Sequence, residues 1–391
     1  MKERRIIRKT VQVKPGVPGP GANSRISLPF LHLYSPQRPQ SGKKELEVPG
    51  EHAGPSGRPP MRQRLEPNRR EFLRTFAAGA LLAGGTSGLS RRFFTHEKSK
   101  VVLARDPLLR GSGSSVDSAR LLKMLDRAMQ ALHASDSPLA AWKKVVQPGE
   151  VVGIKVNGLA GRGISTNVLL VEVICERLQE AGIPERNIVI WDRLNTDLES
   201  AGFRIASKQD RIRYIGNDTL GYEDDLAIYG SVGSRLSRTL TQLCDVVINL
   251  PVLKDHGIAG VTMALKNMFG AIHNPNKYHL NVGDPYIADV NMLPQIRQKV
   301  RLNICDALTA QYEGGPSYMP QWTWPYNGLL LSLDPVALDY VGWQILEQKR
   351  AEKGMKSLQA LGRAPNYIAT AADAQHRLGT NDPRQMEQVE V

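Results

Sequence analysis

DVVINLPVLKDHGIAGVTMALKNMFGAIHN, residues Asp245–Asn274, is the stretch around which the rest of the chain is organised. Its first part, Val246–Leu250, is an apolar run bounded by Pro251, the pattern of a strand buried on both faces. The chain then releases Lys254, Asp255 and His256 into a Gly-containing turn. A second segment begins at Thr262, with apolar Met263, Leu265, Met268 and Phe269 around polar Lys266 and Asn267, and His273 follows just beyond Gly270. Ligands of open α/β sheets bind outside the carboxyl ends of the strands, so this strand exit is where the sequence places a site.

Working outward, Val101–Arg105 reads as a first strand and Val116–His133 as a helix, with apolar residues at helical spacing and Asp117 near its start. Val151–Asn157 is a strand, Val168–Ala181 a helix stopped at Gly182, and Ile188–Asp192 the next strand, which together predict a right-handed parallel βαβ unit. Further strands are predicted at Ile212–Ile215, Leu302–Cys305 and Leu329–Leu333, the last leading through Asp334-Pro335 into a helix. The fold class is therefore α/β: a mostly parallel sheet flanked by helices in Rossmann-like layering, with long loops at the carboxyl rim of the strands. One such domain is expected over 101–360, followed by a polar C-terminal tail at 361–391. Two loops stand out, His273–Leu293 and the aromatic- and proline-rich Glu313–Asn327, which is expected to be a lid or a pocket wall.

Polar residues recur where strands end: Lys155 and Asn157, Asp192, Lys254 with His256, Asp306 and Asp334. If the strands are parallel they share one rim. Lys155, Lys254 and His256 are the candidate catalytic groups, with His256 as acid/base and the lysines neutralising an anionic substrate. Asn157, Lys266 and Asn267 are the candidate substrate-binding groups, because amides and ammonium groups suit a carboxylate or phosphate. His256, His273, His279 and Asp306 are the residue types of a divalent metal site. The competing reading is that Asp192, Asp306 and Asp334 merely cap turns and helices and that the histidines are solvated. No nucleophile elbow, phosphate loop or dinucleotide fingerprint is present; Gly158, Gly161 and Gly163 do not fit the last of these.

The formal net charge of +13 does not point to nucleic acid, because it is concentrated at one end. Residues 1–100 hold 20 lysines and arginines against 7 acidic residues; of the totals of 51 and 38, this leaves 31 of each sign in the remainder. A neutral body lacks the basic face that a nucleic-acid reader needs. Residues 1–60, with ten of the 25 prolines and few large apolar residues, cannot offset their ordering entropy and are expected to be disordered. Residues 61–95 read as an export signal: Asn68-Arg69-Arg70-Glu71-Phe72-Leu73-Arg74 has the twin-arginine pattern, and the weakly apolar Phe76–Gly85 is well short of the ~20 residues of a membrane span. The partner implied is the twin-arginine translocase, the location periplasmic or extracytoplasmic, and no stable membrane span is expected. A signal so far from residue 1 suggests Met61 as the true initiator and 1–60 as an overextended start. Cys175, Cys244 and Cys305 are too widely spaced for a local zinc or iron–sulfur site and sit in apolar runs, as small buried hydrophobes would; a disulfide between two of them stays open for an exported protein.

The chain resembles the bacterial and archaeal family catalogued as domain of unknown function 362, from about Val151 to Trp343. The resemblance rests on VGIKVN at Val152–Asn157, on LPVLKDH…VTMALKNMFG within the stretch quoted first, on IAD at Ile287–Asp289, on CDALTAQYEGGP at Cys305–Pro316 and on SLDPVALD at Ser332–Asp339. It implies an α/β protein, often exported by the twin-arginine route. Some members carry a ferredoxin-like four-cysteine module that this chain lacks, so iron–sulfur binding is not carried over. The resemblance implies no particular reaction. Two functional expectations follow: an exported enzyme acting on a small anionic substrate, with a metal or other cofactor as an option, or a non-catalytic periplasmic binding or redox-assembly protein.

Overall fold

A computed structural model describes residues 98–391. The leader expectations, for 1–60 and for 61–95 with Arg69 and Arg70, lie outside the described residues.

The strands are β1 (Ser99–Arg105), β2 (Val152–Lys155), β3 (Ile188–Asp192), β4 (Arg213–Gly216), β5 (Ala227–Tyr229), β6 (Val232–Ser234), β7 (Val246–Asn249), β8 (Val252–His256), β9 (Gly260–Thr262), β10 (Val300–Gln311), β11 (Thr323–Trp324), β12 (Gly328–Ser332) and β13 (Met386–Glu390). The main sheet runs β13-β1-β12-β10-β7-β2-β3-β4, with β8, β9 and β11 attached beside β10, while β5 and β6 pair separately. Along that path β12 is antiparallel to both neighbours and every other pairing is parallel. The α/β class and mostly parallel sheet read from the sequence are what the chain adopts. The central strands β2, β3 and β7 are buried along their whole length, which is why they read as continuous Val/Ile runs rather than alternating ones.

Helices cover both faces. Ser118–His133 is started by Asp117, whose carboxylate accepts from Arg120 N at 3.0 Å, and buries Leu121, Leu125, Ala128 and Leu132 along one stripe. With Val168–Glu180 it packs on the face presented by Val152, Ile154, Ile188 and Ile190. Pro335–Glu352 lies on the other face, with Trp191, Val247 and Cys305. Side chains alternate along each strand, so this two-sided core decides which residues can meet at a site.

Several sequence readings change. Lys254, Asp255 and His256 do not enter a turn; they form the second half of β8, paired with β9 and β10. β10 is far longer than Leu302–Cys305, because Asp306 and Gln311 look like strand breakers yet are satisfied within it: Asp306 accepts from Leu308 N and Asn167 N, and Gln311 bridges Ser317 O and Met319 N. Asp334 leaves the proposed rim because β12 runs antiparallel, which puts its end on the opposite edge; there it caps the following helix through Val336 N and Ala337 N. The three cysteines are free and buried, so the disulfide alternative does not hold.

Nor is 361–391 a loose tail. Tyr367 is fully buried and donates to Val261 O at 3.0 Å, β13 adds an edge strand parallel to β1, and His376 is held between Asp289 (2.9 Å) and Asp373 (2.8 Å). The polar composition deceived because an edge strand such as MEQVE buries little of itself. Although burial opposes charge on His376, the two carboxylates raise its pKa above the ordinary value. A raised folded-state pKa contributes stability that is complete below the unfolded value of ~6.5 and is lost as pH rises through the folded value. Urea unfolding of the wild type should therefore show this contribution fading as pH rises above ~6.5, and His376→Gln should flatten that slope; an unchanged slope in the variant would assign the pH dependence elsewhere.

Candidate functional site

The chain passes outward from β2 to β3 and β4, then returns to the other side of β2 as β7. The sheet order thus reverses between β2 and β7, and a crevice opens at their carboxyl ends. Lys155 closes β2 and Asn249 closes β7, in direct register. A cavity of about 290 Å³ stands above them, lined by Lys155, Asn157, Asp192, His256, Thr262, Lys266, Asn267 and His279, with Leu159, Ile258, Phe269 and Pro316 as apolar walls.

The floor is an ordered polar network. Lys155 is almost fully buried; its Nζ donates to Asp192 Oδ1 at 2.7 Å, to Val156 O at 2.6 Å and to Asn267 Oδ1 at 3.4 Å. Asp192 also accepts from Gly158 N and Arg193 N, so the carboxylate serves the ammonium and the turn after β2 together. Asn267 accepts from Asn157 Nδ2 at 3.1 Å and donates to Asn249 Oδ1 at 2.8 Å, and Asn249 donates in turn to Asn303. Gly270 is needed where the following turn closes on Lys155: a Cβ there would stand 2.6 Å from Cε and 2.7 Å from Nζ.

Lys266 and Asn267 lie on a single helical turn, Ala264–Asn267, too short to hold itself. Asp339, on the helix Pro335–Glu352, accepts from Ala264 N at 2.6 Å and Leu265 N at 3.1 Å, and Asn291 donates to Leu265 O. Lys266 Nζ rests 4.2 Å from the centre of the Phe269 ring and has no hydrogen-bond or ion-pair partner among the described residues. Burial, with the charges of Lys155, Lys254 and Arg193 around it, pushes its pKa down to about 7.

Strand alternation explains β8. Lys254 and His256 share one side, while Asp255 faces the other way, accepting from Gly315 N at 2.7 Å beside Arg363. Lys254 is fully buried one layer behind the cavity, donating to Asn157 Oδ1 at 3.0 Å and Ile164 O at 3.1 Å, and burial lowers its pKa to about 7. Thr262, opposite Lys254 in β9, lines the cavity with a buried hydroxyl that has no partner among the described residues.

His256 is constrained most. Its Nδ1 accepts from Ile258 N (3.2 Å) and Ala259 N (3.1 Å), so the ring carries its single proton on Nε2. Burial, then Lys266, His279 and Lys254, hold its pKa far down, at about 2. Such a ring is a permanent neutral donor, the means by which an imidazole polarises a carbonyl or oxyanion, rather than a shuttle that gains and loses protons. Nitrogen NMR should show the neutral Nε2–H tautomer unchanged from about pH 5 to 8, the span across which an ordinary imidazole of pKa ~6.5 titrates; a titration within that range would refute the assignment.

The structure thus brings together Lys155, Asn157, His256, Lys266, Asn267 and His279, with Lys254 just beneath. It does not bring in the rest of the proposed metal set. Asp306 has the parity of Ile304 and Leu308, so it faces the other side of the sheet and lines a separate cavity of about 460 Å³ with Arg110, Thr166 and Asn167. Burial raises its pKa to about 6. His273 packs edge-on against Tyr222. His279 stacks on His256 with ring centres 5.5 Å apart, but a metal on His256 Nε2 would require a protonated Nδ1 facing two amide N–H groups. Among the described residues no cluster of three or more His, Cys, Asp or Glu side chains is placed to hold a metal ion. Of the loop Glu313–Asn327, Pro316 lines the cavity, while Trp322 and Trp324 pack against Tyr312. Thr262, Asn249 and Asp339 were not singled out from the sequence; a lone Thr in a strand and a mid-helix Asp carry no signal of their own.

All the cavity-lining residues fall within one family match. Residues 152–344 match the domain of unknown function DUF362. The matched region includes the switch between β2 and β7, the turn bearing Lys266 and the supporting Asp339, and excludes β1 and β13. The thylakoid-associated protein sll1697 of Synechocystis is 28% identical over 273 residues, covering 62% of this chain and 73% of that protein. A crystal structure of a protein from Thermotoga maritima aligns with 61% of this chain and 60% of its own length at 9% identity, with a TM-score of 0.37. Among the described residues no helix is long and apolar enough to cross a membrane.

Proposed function

We propose that the cavity at the β2–β7 switch binds a small organic anion. The observation that carries this reading is Lys266: among the described residues its ammonium group, which faces the cavity, has no ion-pair partner, and it stands beside the Nε2–H of His256 and the hydroxyl of Thr262, which likewise has no described partner. An anionic head would sit on these donors, and an apolar body would lie against Leu159, Ile258, Phe269 and Pro316. Phenylacetate, which has both parts, is a suitable probe. Its affinity by titration calorimetry should rise as pH falls through about 7, where Lys266 and Lys254 gain their protons, and Lys266→Met should remove most of that dependence. Equal affinity in wild type and variant, or none in the wild type, would sink the proposal.

A catalytic role is favoured over passive binding by one feature. An amine with a pKa near neutrality is half deprotonated at the pH of use, which a simple anion receptor does not need. We also propose that the protein works outside the cytoplasm after twin-arginine export, supported by Asn68–Arg74 and the short apolar run after it. Replacing both Arg69 and Arg70 by lysine should retain the protein inside the cell; unaltered export would rule the route out.

A further inference from the structure

Three lysines surround the cavity, and their surroundings differ. Lys155 is tied to Asp192 and Val156 O, and Lys254 to Asn157 and Ile164 O, with both nitrogens enclosed. Lys266 alone of the three presents an amine to the cavity that no described residue engages, over an apolar ring and beside other cations. Desolvation and neighbouring positive charge are the two devices that make a lysine nucleophilic near neutral pH. The second requirement of amine addition is a donor for the oxygen of the carbonyl under attack. His256 supplies an Nε2–H in the same cavity that its two amide contacts prevent it from surrendering.

We infer that Lys266 forms an imine with a carbonyl compound bearing an acidic group, such as a 2-oxo acid, bound in this cavity. The inference rests on the anion-binding reading above. The Nζ lone pair adds to the carbonyl carbon while the C=O π pair moves onto oxygen, held by His256 Nε2–H. Protons pass from the nitrogen to that oxygen, which leaves as water, and the C=N bond remains. No oxidant, reductant or metal is consumed. Once its nitrogen takes up a proton from solvent, the imine becomes an iminium, an electron sink for breaking a bond at the neighbouring carbon, the role such lysines play in decarboxylation and carbon–carbon cleavage.

The test uses the whole chain with benzoylformate, a keto analogue of phenylacetate, and sodium cyanoborohydride, whose hydride reduces C=N to a stable secondary amine. Peptide mass mapping of the wild type should place the added group on Lys266 and not on exposed Lys277. The trapping rate should fall about tenfold for each pH unit below the amine's pKa, the reverse of the pH trend for phenylacetate affinity. Lys266→Arg should give no adduct at position 266 and a total yield reduced to that of the surface lysines. Wild-type protein that binds phenylacetate but is labelled only at other lysines, or not at all, overturns the imine and leaves the anion site standing. Protein that binds no phenylacetate removes the site itself, and the imine with it. The wild-type mapping decides the first question even if the variant fails to fold.

Discussion

Asp192→Asn is expected to destabilise the protein by about 3–5 kcal/mol, the cost of leaving one partner of a buried ion pair unmatched. The side chains of Lys155 and Asp192 are 1% and 7% exposed, and their contact is 2.7 Å. Lys155 Nζ would keep Val156 O at 2.6 Å, a long contact to Asn267 and at best a neutral amide oxygen at position 192, so its ammonium would stand desolvated without a counter-charge. The asparagine would do worse than remove charge: Asp192 accepts from Lys155, Gly158 N and Arg193 N, and an amide NH₂ must oppose one of these donors. Urea unfolding should show a lower midpoint with an unchanged slope. Adding Lys155→Met should recover much of the loss by removing the stranded ammonium. A loss below about 1 kcal/mol would mean that the pair is screened as surface pairs are.

The second large effect is at Asn267. Leucine has nearly its shape and none of its hydrogen bonds. Asn267→Leu removes the acceptor of Lys155 Nζ and Asn157 Nδ2 and the donor to Asn249 Oδ1 and Lys155 O. Asn249 is buried and is left with an unpaired oxygen, while Asn157, at the cavity, can turn to water. At ~1–3 kcal/mol for each stranded buried group, the loss should be about 2–4 kcal/mol. Phenylacetate affinity should fall with it, by at least about tenfold, or about 1.4 kcal/mol, because Lys155 and Asn157 lose their common anchor. Unchanged stability with unchanged affinity would mean that the asparagine ladder does not position the floor.

What the sequence made legible follows from two periods. Strands buried on both faces announce themselves as Val/Ile runs, so β2, β3 and β7 and their carboxyl ends were readable, and with them Lys155, Asn157 and Asp192. The cluster Lys254, His256, Lys266 and Asn267 was readable because polar residues directly after such a run have few structural excuses. The failures have physical reasons too. Lys254, Asp255 and His256 looked like part of a turn because all three are ionisable and Gly257 follows, yet they belong to β8, which pairs on both sides. Asp306 was assigned to the rim by its place near a strand end, whereas its face depends on a one-residue parity that only the full length of β10 reveals. Asp334 failed with the direction of β12, which no local pattern encodes. The protonation of His256 rests on two backbone amides at Ile258 and Ala259, invisible until the turn after β8 is built.

Everything proposed for the cavity depends on a Lys266 amine that titrates near neutral pH and meets the ligand. Reductive methylation with labelled carbon turns each lysine into an NMR reporter of its own protonation. The Lys266 signal, assigned by its loss in Lys266→Arg, should titrate near 7 in the free protein and move to higher pH when phenylacetate is added, as a bound anion must do to a neighbouring ammonium. A signal that titrates near the ordinary lysine value of ~10.4, and does not respond to phenylacetate, would show a solvated surface lysine in place of the proposed centre.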